Sequence, residues 1–176
     1  MIVSETSLSG VLVIEPVVHG DKRGFFTETF SAQRYKEAGI PLDFVQDNHS
    51  RSQRGVLRGL HAQKQRPQGK LVRCSYGEVY DVAVDIDRNS ETFGKYIGVT
   101  LSDTNCRQLY VPPGYLHGFL VISPVADFEY KCTDYYYPED EIGVVWDDPD
   151  IAIDWPIKAP QISDKDAKLP RLNQIR

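Results

Sequence analysis

Apolar residues along this 176-residue chain fall in short runs with alternating spacing, the period-2 pattern of strands rather than the longer period of helices. The pattern predicts strands over 10–18, 24–30, 56–61, 70–76, 79–86, 96–101, 108–111, 118–122, 127–133 and 142–146. Within 79–86, Tyr80, Val82, Val84 and Ile86 point one way and Val79, Asp81, Ala83 and Asp85 the other. One short helix is predicted over 31–39, with Ser31 as N-cap and Gly39 as its stop. Proline (11) and glycine (13) interrupt the chain at short intervals, and no repeat or low-complexity linker divides it. The expectation is one all-β domain spanning 1–176, of the sandwich, jelly-roll or small-barrel kind. After Trp155 the chain turns polar and proline-marked, which fits either a loose tail or a segment wrapped back over a barrel mouth.

Composition narrows the class. A hydrophobic fraction of 41% with 26% charged residues is that of a folded globular chain, not a disordered or fibrous one. The 3 cysteines, Cys74, Cys106 and Cys132, lack paired spacing, so they read as reduced thiols rather than a disulfide framework or zinc site. Apolar runs such as 11–14 and 119–122 are far too short for a membrane span. The N-terminus has neither a basic region nor a long apolar stretch, so the expected compartment is the cytoplasm.

Charge adds the first functional hint. A net charge of −5 argues against nucleic acid as a partner. Yet no acid occurs between Asp47 and Glu78, while Arg51, Arg54, Arg58, Lys64, Arg66, Lys70 and Arg73 all do. Such a basic stretch in an acidic chain is either a solvated face or a local field that focuses a small anionic ligand.

Two histidines stand out inside this frame. His61 follows Gly55-Val-Leu-Arg-Gly-Leu on a predicted strand beside the basic stretch, and His117 follows the tight turn Pro112-Pro-Gly-Tyr-Leu. Histidine is the natural base near neutral pH, although most histidines are structural. Strict alternation would put Arg58 and His61 on opposite faces of their strand. Gly59 between them marks a candidate bulge; alternatively the two faces serve different subunits.

The Gly-x5-His and Pro-Gly-x-x-His frames resemble the two motifs of the cupin superfamily. Metal-binding cupins normally carry a second histidine two residues on and a glutamate downstream. Here those places hold Gln63 and a stretch with Gln68 and Lys70, a poor ligand set, so a metal-free site is expected.

Eight blocks, in order, make the resemblance narrower: Arg58-Gly-Leu-His61, Gln68-Gly-Lys70-Leu-Val-Arg73, Asp81-Val-Ala-Val-Asp85, Ser90-Glu-Thr-Phe-Gly94, Pro113-Gly-Tyr-Leu-His117-Gly-Phe119, Tyr130-Lys131, Trp146-Asp-Asp-Pro149 and Ser163-Asp-Lys-Asp166. Together they resemble the dTDP-4-dehydrorhamnose 3,5-epimerase family over nearly the whole chain. The resemblance implies a cupin jelly-roll homodimer, no cofactor, and epimerisation of a dTDP-linked 4-keto-6-deoxy sugar. By the same resemblance His61 is the base, Tyr130 the acid, Lys70 the cation that stabilises the enolate, and Asp166 the carboxylate that orients the histidine. Substrate binding falls to Arg23, Glu28, Gln46, Asp47, Asn48, Arg58, His117, Glu141 and Lys165, with Tyr136 stacking on thymine. Ala62 departs from the family, which commonly has a bulky side chain there. Alternatives remain open: an epimerase of one carbon, a ketoisomerase, a non-catalytic nucleotide-sugar binding module and, more distantly, a metal-dependent oxygenase. The pairing of His61 with Tyr130 favours catalysis, because binding alone needs no acid and base.

Overall fold

The computed structural model describes residues 1–40 and 43–175. Its strands are β1 (Ile2–Glu5), β2 (Leu12–Glu15), β3 (Val18–Asp21), β4 (Gly24–Thr27), β5 (Gln46–Gln53), β6 (Leu57–Gln63), β7 (Lys70–Tyr76), β8 (Glu78–Asp85), β9 (Tyr96–Ser102), β10 (Gln108–Val111), β11 (Tyr115–Val121), β12 (Val125–Cys132) and β13 (Glu141–Gly143). One helix, α1 (Ala32–Glu37), follows β4. It begins after Ser31 and ends before Gly39, which takes a left-handed φ of 91°. The Ser31 side chain makes no capping bond.

Two antiparallel sheets face each other: a six-stranded one in the order β1-β2-β10-β7-β12-β5, and a five-stranded one in the order β13-β6-β11-β8-β9. Alternation along each strand sends one set of side chains between the sheets, where Val72, Cys74, Val79, Ala83, Leu101, Leu109, Phe119, Val121 and Phe128 form the inner core. The expected alternation of 79–86 holds, with both faces buried. Val79 and Ala83 join the inner core, whereas Val82 and Val84 belong to a second core on the outer surface of the five-stranded sheet.

The second core exists because the C-terminal segment packs there. Ile151, Trp155 and Leu172 are buried against Leu57, Leu60, Leu116 and Leu120. Backbone bonds fix the segment to β6: Leu57 N–H donates to Gln161 O (2.9 Å) and Gln161 N–H to Gly55 O (2.7 Å). The buried Asp148 carboxylate accepts from the N–H groups of Asp150 (2.9 Å), Ile151 (3.1 Å) and Leu172 (2.9 Å), clamping its two ends together. The tail therefore lies along the outside of the barrel, and only its turn near 161–166 reaches the space between the sheets.

The strands β3 and β4 form a separate two-stranded hairpin, with Phe25 63% and Phe26 70% exposed. No helix among the described residues is long and apolar enough to cross a membrane.

Candidate active site

A cleft of about 540 Å³ opens between the sheets, walled by β5, β6, β11, β12 and the C-terminal turn. Phe119 and Phe128 stack at a centroid distance of 4.0 Å to form an apolar floor. Its polar lining includes Arg58, His61, Lys70, His117, Tyr130, Lys165 and Asp166. An adjoining lobe holds Gln46, Asn48, Gln68, Cys132, Tyr136 and Glu141, and shares His61, Lys70 and Tyr130 with the first.

The strand β6 delivers both Arg58 and His61 to this cleft by breaking alternation. Opposite β11, His61 pairs with His117 and Arg58 with Phe119, so Gly59 and Leu60 together face Gly118 alone. This bulge is the extra residue that brings two positions of opposite parity to one face. Gly59 has φ 124°, and a Cβ there would stand 2.6 Å from Gly118 Cα. Only glycine fits that conformation and that close approach.

His61 Nε2 lies 2.8 Å from Asp166 Oδ1. The other carboxylate oxygen accepts the Gly59 N–H at 3.4 Å, and the Ser163 hydroxyl accepts the Asp166 N–H at 3.0 Å. Burial works to raise the Asp166 carboxyl, but the hydrogen bond and charge of His61, with Gly59 and Ser163, hold it below the ordinary carboxylate value. Asp166 is thus an anion that fixes the imidazole.

Tyr130 and Lys70 come from the opposite sheet. On β12, Phe128, Tyr130 and Cys132 share the inward face, and Cys132 is in register with Lys70 of β7 and with Gln46 of β5. Burial pushes the Tyr130 phenol up, so it stays protonated. It pushes the Lys70 ammonium down, against the opposing pull of Cys132, Asp81 and Glu141. Of the basic stretch, Arg54 and Lys64 are exposed, and the other five divide into two groups. Arg51, Arg66 and Arg73 pair with Asp127, Asp134 and Glu129, whereas Arg58 and Lys70 face the cleft with no carboxylate partner among the described residues.

His117 bonds through Nε2 to Asp81 (2.9 Å), a fully buried carboxylate whose burial raises it against His117 and Lys70. Glu141 pairs with Lys165 and accepts from the Tyr136 hydroxyl at 2.9 Å, while the Tyr136 N–H donates to Gln46 Oε1 at 3.0 Å. Gln46 in turn donates to Asn48 at 3.1 Å. Among the described residues no group of three His, Cys, Asp or Glu side chains is placed to hold a metal ion.

Three expected site residues lie elsewhere. Asp47 sits on the outward face of β5, paired with Lys131 at 2.9 Å, because its neighbours Gln46 and Asn48 take the inward face. Arg23 is on the β3–β4 hairpin, 83% exposed and paired with Asp21, and Glu28 follows that hairpin and pairs with Arg34 of α1. The sequence reading missed Ser52, which accepts both Arg58 Nε (3.2 Å) and Nη2 (3.1 Å), and Asp81 behind His117. Asp81 sits mid-strand between Val79 and Ala83 on the inward parity of β8, and an acid at that place was the available sign.

A jelly-roll barrel with a histidine on one sheet, held by a carboxylate of the C-terminal turn, and a buried tyrosine and lysine on the other sheet is a cupin-type fold equipped to move protons. The chain belongs to the dTDP-4-dehydrorhamnose 3,5-epimerase family, whose model matches residues 5–174. It is 53% identical over 165 residues to the dTDP-4-dehydrorhamnose 3,5-epimerase of Methanothermobacter thermautotrophicus, covering 92% of this chain and 89% of that one. The crystal structure of dTDP-6-deoxy-D-glucose-3,5-epimerase from Legionella pneumophila, in complex with dTDP-4-keto-L-rhamnose, superimposes with a TM-score of 0.97 at 54% identity, covering 99% of this chain and 94% of that one. A 3'-monoepimerase from Streptomyces bikiniensis, in complex with dTDP-quinovose, is more distant: TM-score 0.90 and 34% identity, covering 96% and 86%.

Proposed function

We propose that this chain epimerises a dTDP-linked 4-keto-6-deoxy sugar at C3 and C5, the two carbons flanking the ketone. The observation that carries the mechanism is that His61 and Tyr130 line one cleft from facing sheets, so a sugar ring between them meets a base on one face and an acid on the other. His61 removes the proton on the carbon beside the ketone, and the C–H electron pair moves to the carbonyl oxygen. Lys70 holds the resulting enolate oxygen as a fixed positive charge, usually the largest single contribution to such a step. Tyr130 then donates its phenolic proton to the opposite face of the carbon, inverting it. One inversion leaves an imidazolium and a phenolate, and a proton passes between them, through solvent, before the next. Asp166 keeps the imidazole oriented and offsets its charge. Arg58 offers its guanidinium to the diphosphate, and Tyr136 offers its ring to the thymine.

The proposal extends to a homodimer in the cytoplasm, a setting that suits three free cysteines. The exposed Phe25 and Phe26 and the isolated β3–β4 hairpin support an arm that packs on a second copy and carries Arg23 and Glu28 to that copy's cleft. Sedimentation is expected to give the mass of two chains, and replacing Phe25 and Phe26 by serine should give monomers with little turnover. A wild-type monomer with full activity would sink this part of the reading.

The direct test of the reaction is exchange in heavy water. Incubation with dTDP-4-keto-6-deoxyglucose and a metal chelator is expected to place deuterium on both carbons next to the ketone. Label on one carbon with inversion would make it a single-site epimerase, and migration of the carbonyl a ketoisomerase. No enzyme-dependent label at either carbon would reject epimerisation of this substrate.

A further inference from the structure

β12 ends at Cys132, and residues 133–137 carry Tyr136 into the adjoining lobe of the cleft without joining any strand. The backbone groups beside that tyrosine therefore have no ladder to pair in and need partners from elsewhere. One side chain supplies them. Gln63 Oε1 accepts the Tyr137 N–H at 2.7 Å, and its Nε2 donates to Tyr135 O at 3.2 Å and to Arg66 O at 2.7 Å. Gln63 is 5% exposed and stands two residues after His61, on the same face of β6, in register with Glu141. Glu141 in turn accepts from the Tyr136 hydroxyl. The Tyr136 ring itself is 47% exposed, so close packing does not aim it. Its direction follows from the backbone that Gln63 holds on both sides, and from the bonds to Gln46 and Glu141.

We infer that Gln63 is a positioning residue for the nucleotide: by holding the chain on either side of Tyr136, it aims that ring at the thymine before the ligand arrives, which spares binding an ordering cost. The inference rests on the nucleotide-sugar reading above, which gives Tyr136 its contact with the base, and adds the group that fixes this contact. Both hydrogens of the Gln63 amide are taken by backbone carbonyls, so it has none left to offer a ligand and acts through the tyrosine. The neighbouring turn is held independently. The Asp140 carboxylate accepts from the N–H groups of Gln65 (2.9 Å) and Arg66 (2.8 Å), and the Arg66 guanidinium lies 3.9 Å over the Tyr137 ring. Loss of the Gln63 amide should therefore misaim Tyr136 without detaching the loop that carries it.

A double-mutant cycle on dTDP affinity, measured by calorimetry, tests this. Tyr136→Ala alone is expected to weaken dTDP binding about 5- to 100-fold, the range for one base stacked on an aromatic ring. Gln63→Met keeps the length of the side chain and removes its amide. It should weaken binding about 5-fold or more with Tyr136 in place, and less than about 2-fold once Tyr136 is replaced, because the two changes act through one ring. In turnover the loss should fall on KM for the keto sugar rather than on kcat, since the amide touches no reacting group. Should the methionine variant not fold, Gln63→Glu carries the same cycle and the same expectations: it retains the acceptor for the Tyr137 N–H but turns a second oxygen on the two carbonyls. Wild-type affinity in the Gln63 variant overturns the inference. An equal further loss in both backgrounds, or a loss confined to kcat, makes Gln63 a support of the cleft as a whole and also overturns it. Tyr136→Ala that binds dTDP as wild type does removes the thymine contact and this inference together, while heavy-water exchange by the wild type keeps the epimerase reading standing. Wild type that neither binds dTDP nor exchanges removes the nucleotide-sugar reading with everything built on it.

Discussion

The His61→Asn variant is expected to lose turnover by on the order of 100-fold or more while binding dTDP almost as wild type does. The substitution removes the ring that is to accept the proton and, because an asparagine amide ends at the δ position, withdraws the partner that Nε2 offers Asp166 at 2.8 Å, while the turn at 163–166 keeps its bonds to Gly59 and Ser163. In the proposed reading nucleotide affinity rests on other residues, Arg58 and the lobe around Tyr136. Steady-state kinetics with calorimetry on the same preparation separate the two effects. Turnover at the wild-type rate would make His61 a structural histidine and end the mechanism.

Tyr130→Phe should split the reaction in two. The ring is retained against Phe128, whose centroid lies 6.0 Å away, so the cleft keeps its shape while the proton donor is gone. His61 can still take a proton and return one to the same face. Deuterium incorporation in heavy water should therefore persist, while inverted product falls by about 100-fold or more. Exchange and inversion lost in parallel would mean that Tyr130 acts before the enolate forms, and epimer formation at the wild-type rate would eliminate it as the acid. This split is a sharper discriminator than loss of activity, because it depends on the acid and base approaching from different sheets.

Much of the barrel was legible in the chain because burial between two sheets imposes strict alternation, and each strand expected from alternation has a counterpart among β2 to β13. The strand missed beside the cleft is instructive. β5, Gln46–Gln53, has no apolar residue: on its inward face Gln46, Asn48 and Ser50 line the cleft and Ser52 holds Arg58, and its outward face carries Asp47, His49 and Arg51. A strand whose inward face serves a polar ligand site rather than the core loses the hydrophobic signal that would reveal it. β1 was missed as well, four residues long and largely exposed.

By itself the sequence settled an all-β chain and a family, and named the candidate residues for proton transfer. These follow from local periodicity and from motifs a few residues long. Tertiary structure alone decided three things. The Gly59–Leu60 bulge against Gly118 puts Arg58 and His61 on one face, against the parity of the strand, because register is a property of two strands and not of one. The C-terminal segment, polar in composition, becomes an outer layer over the five-stranded sheet, because its few apolar residues meet an outward face that alternation had left apolar. That docking carries Asp166 across 105 positions of sequence to within 2.8 Å of His61, a contact no local pattern encodes.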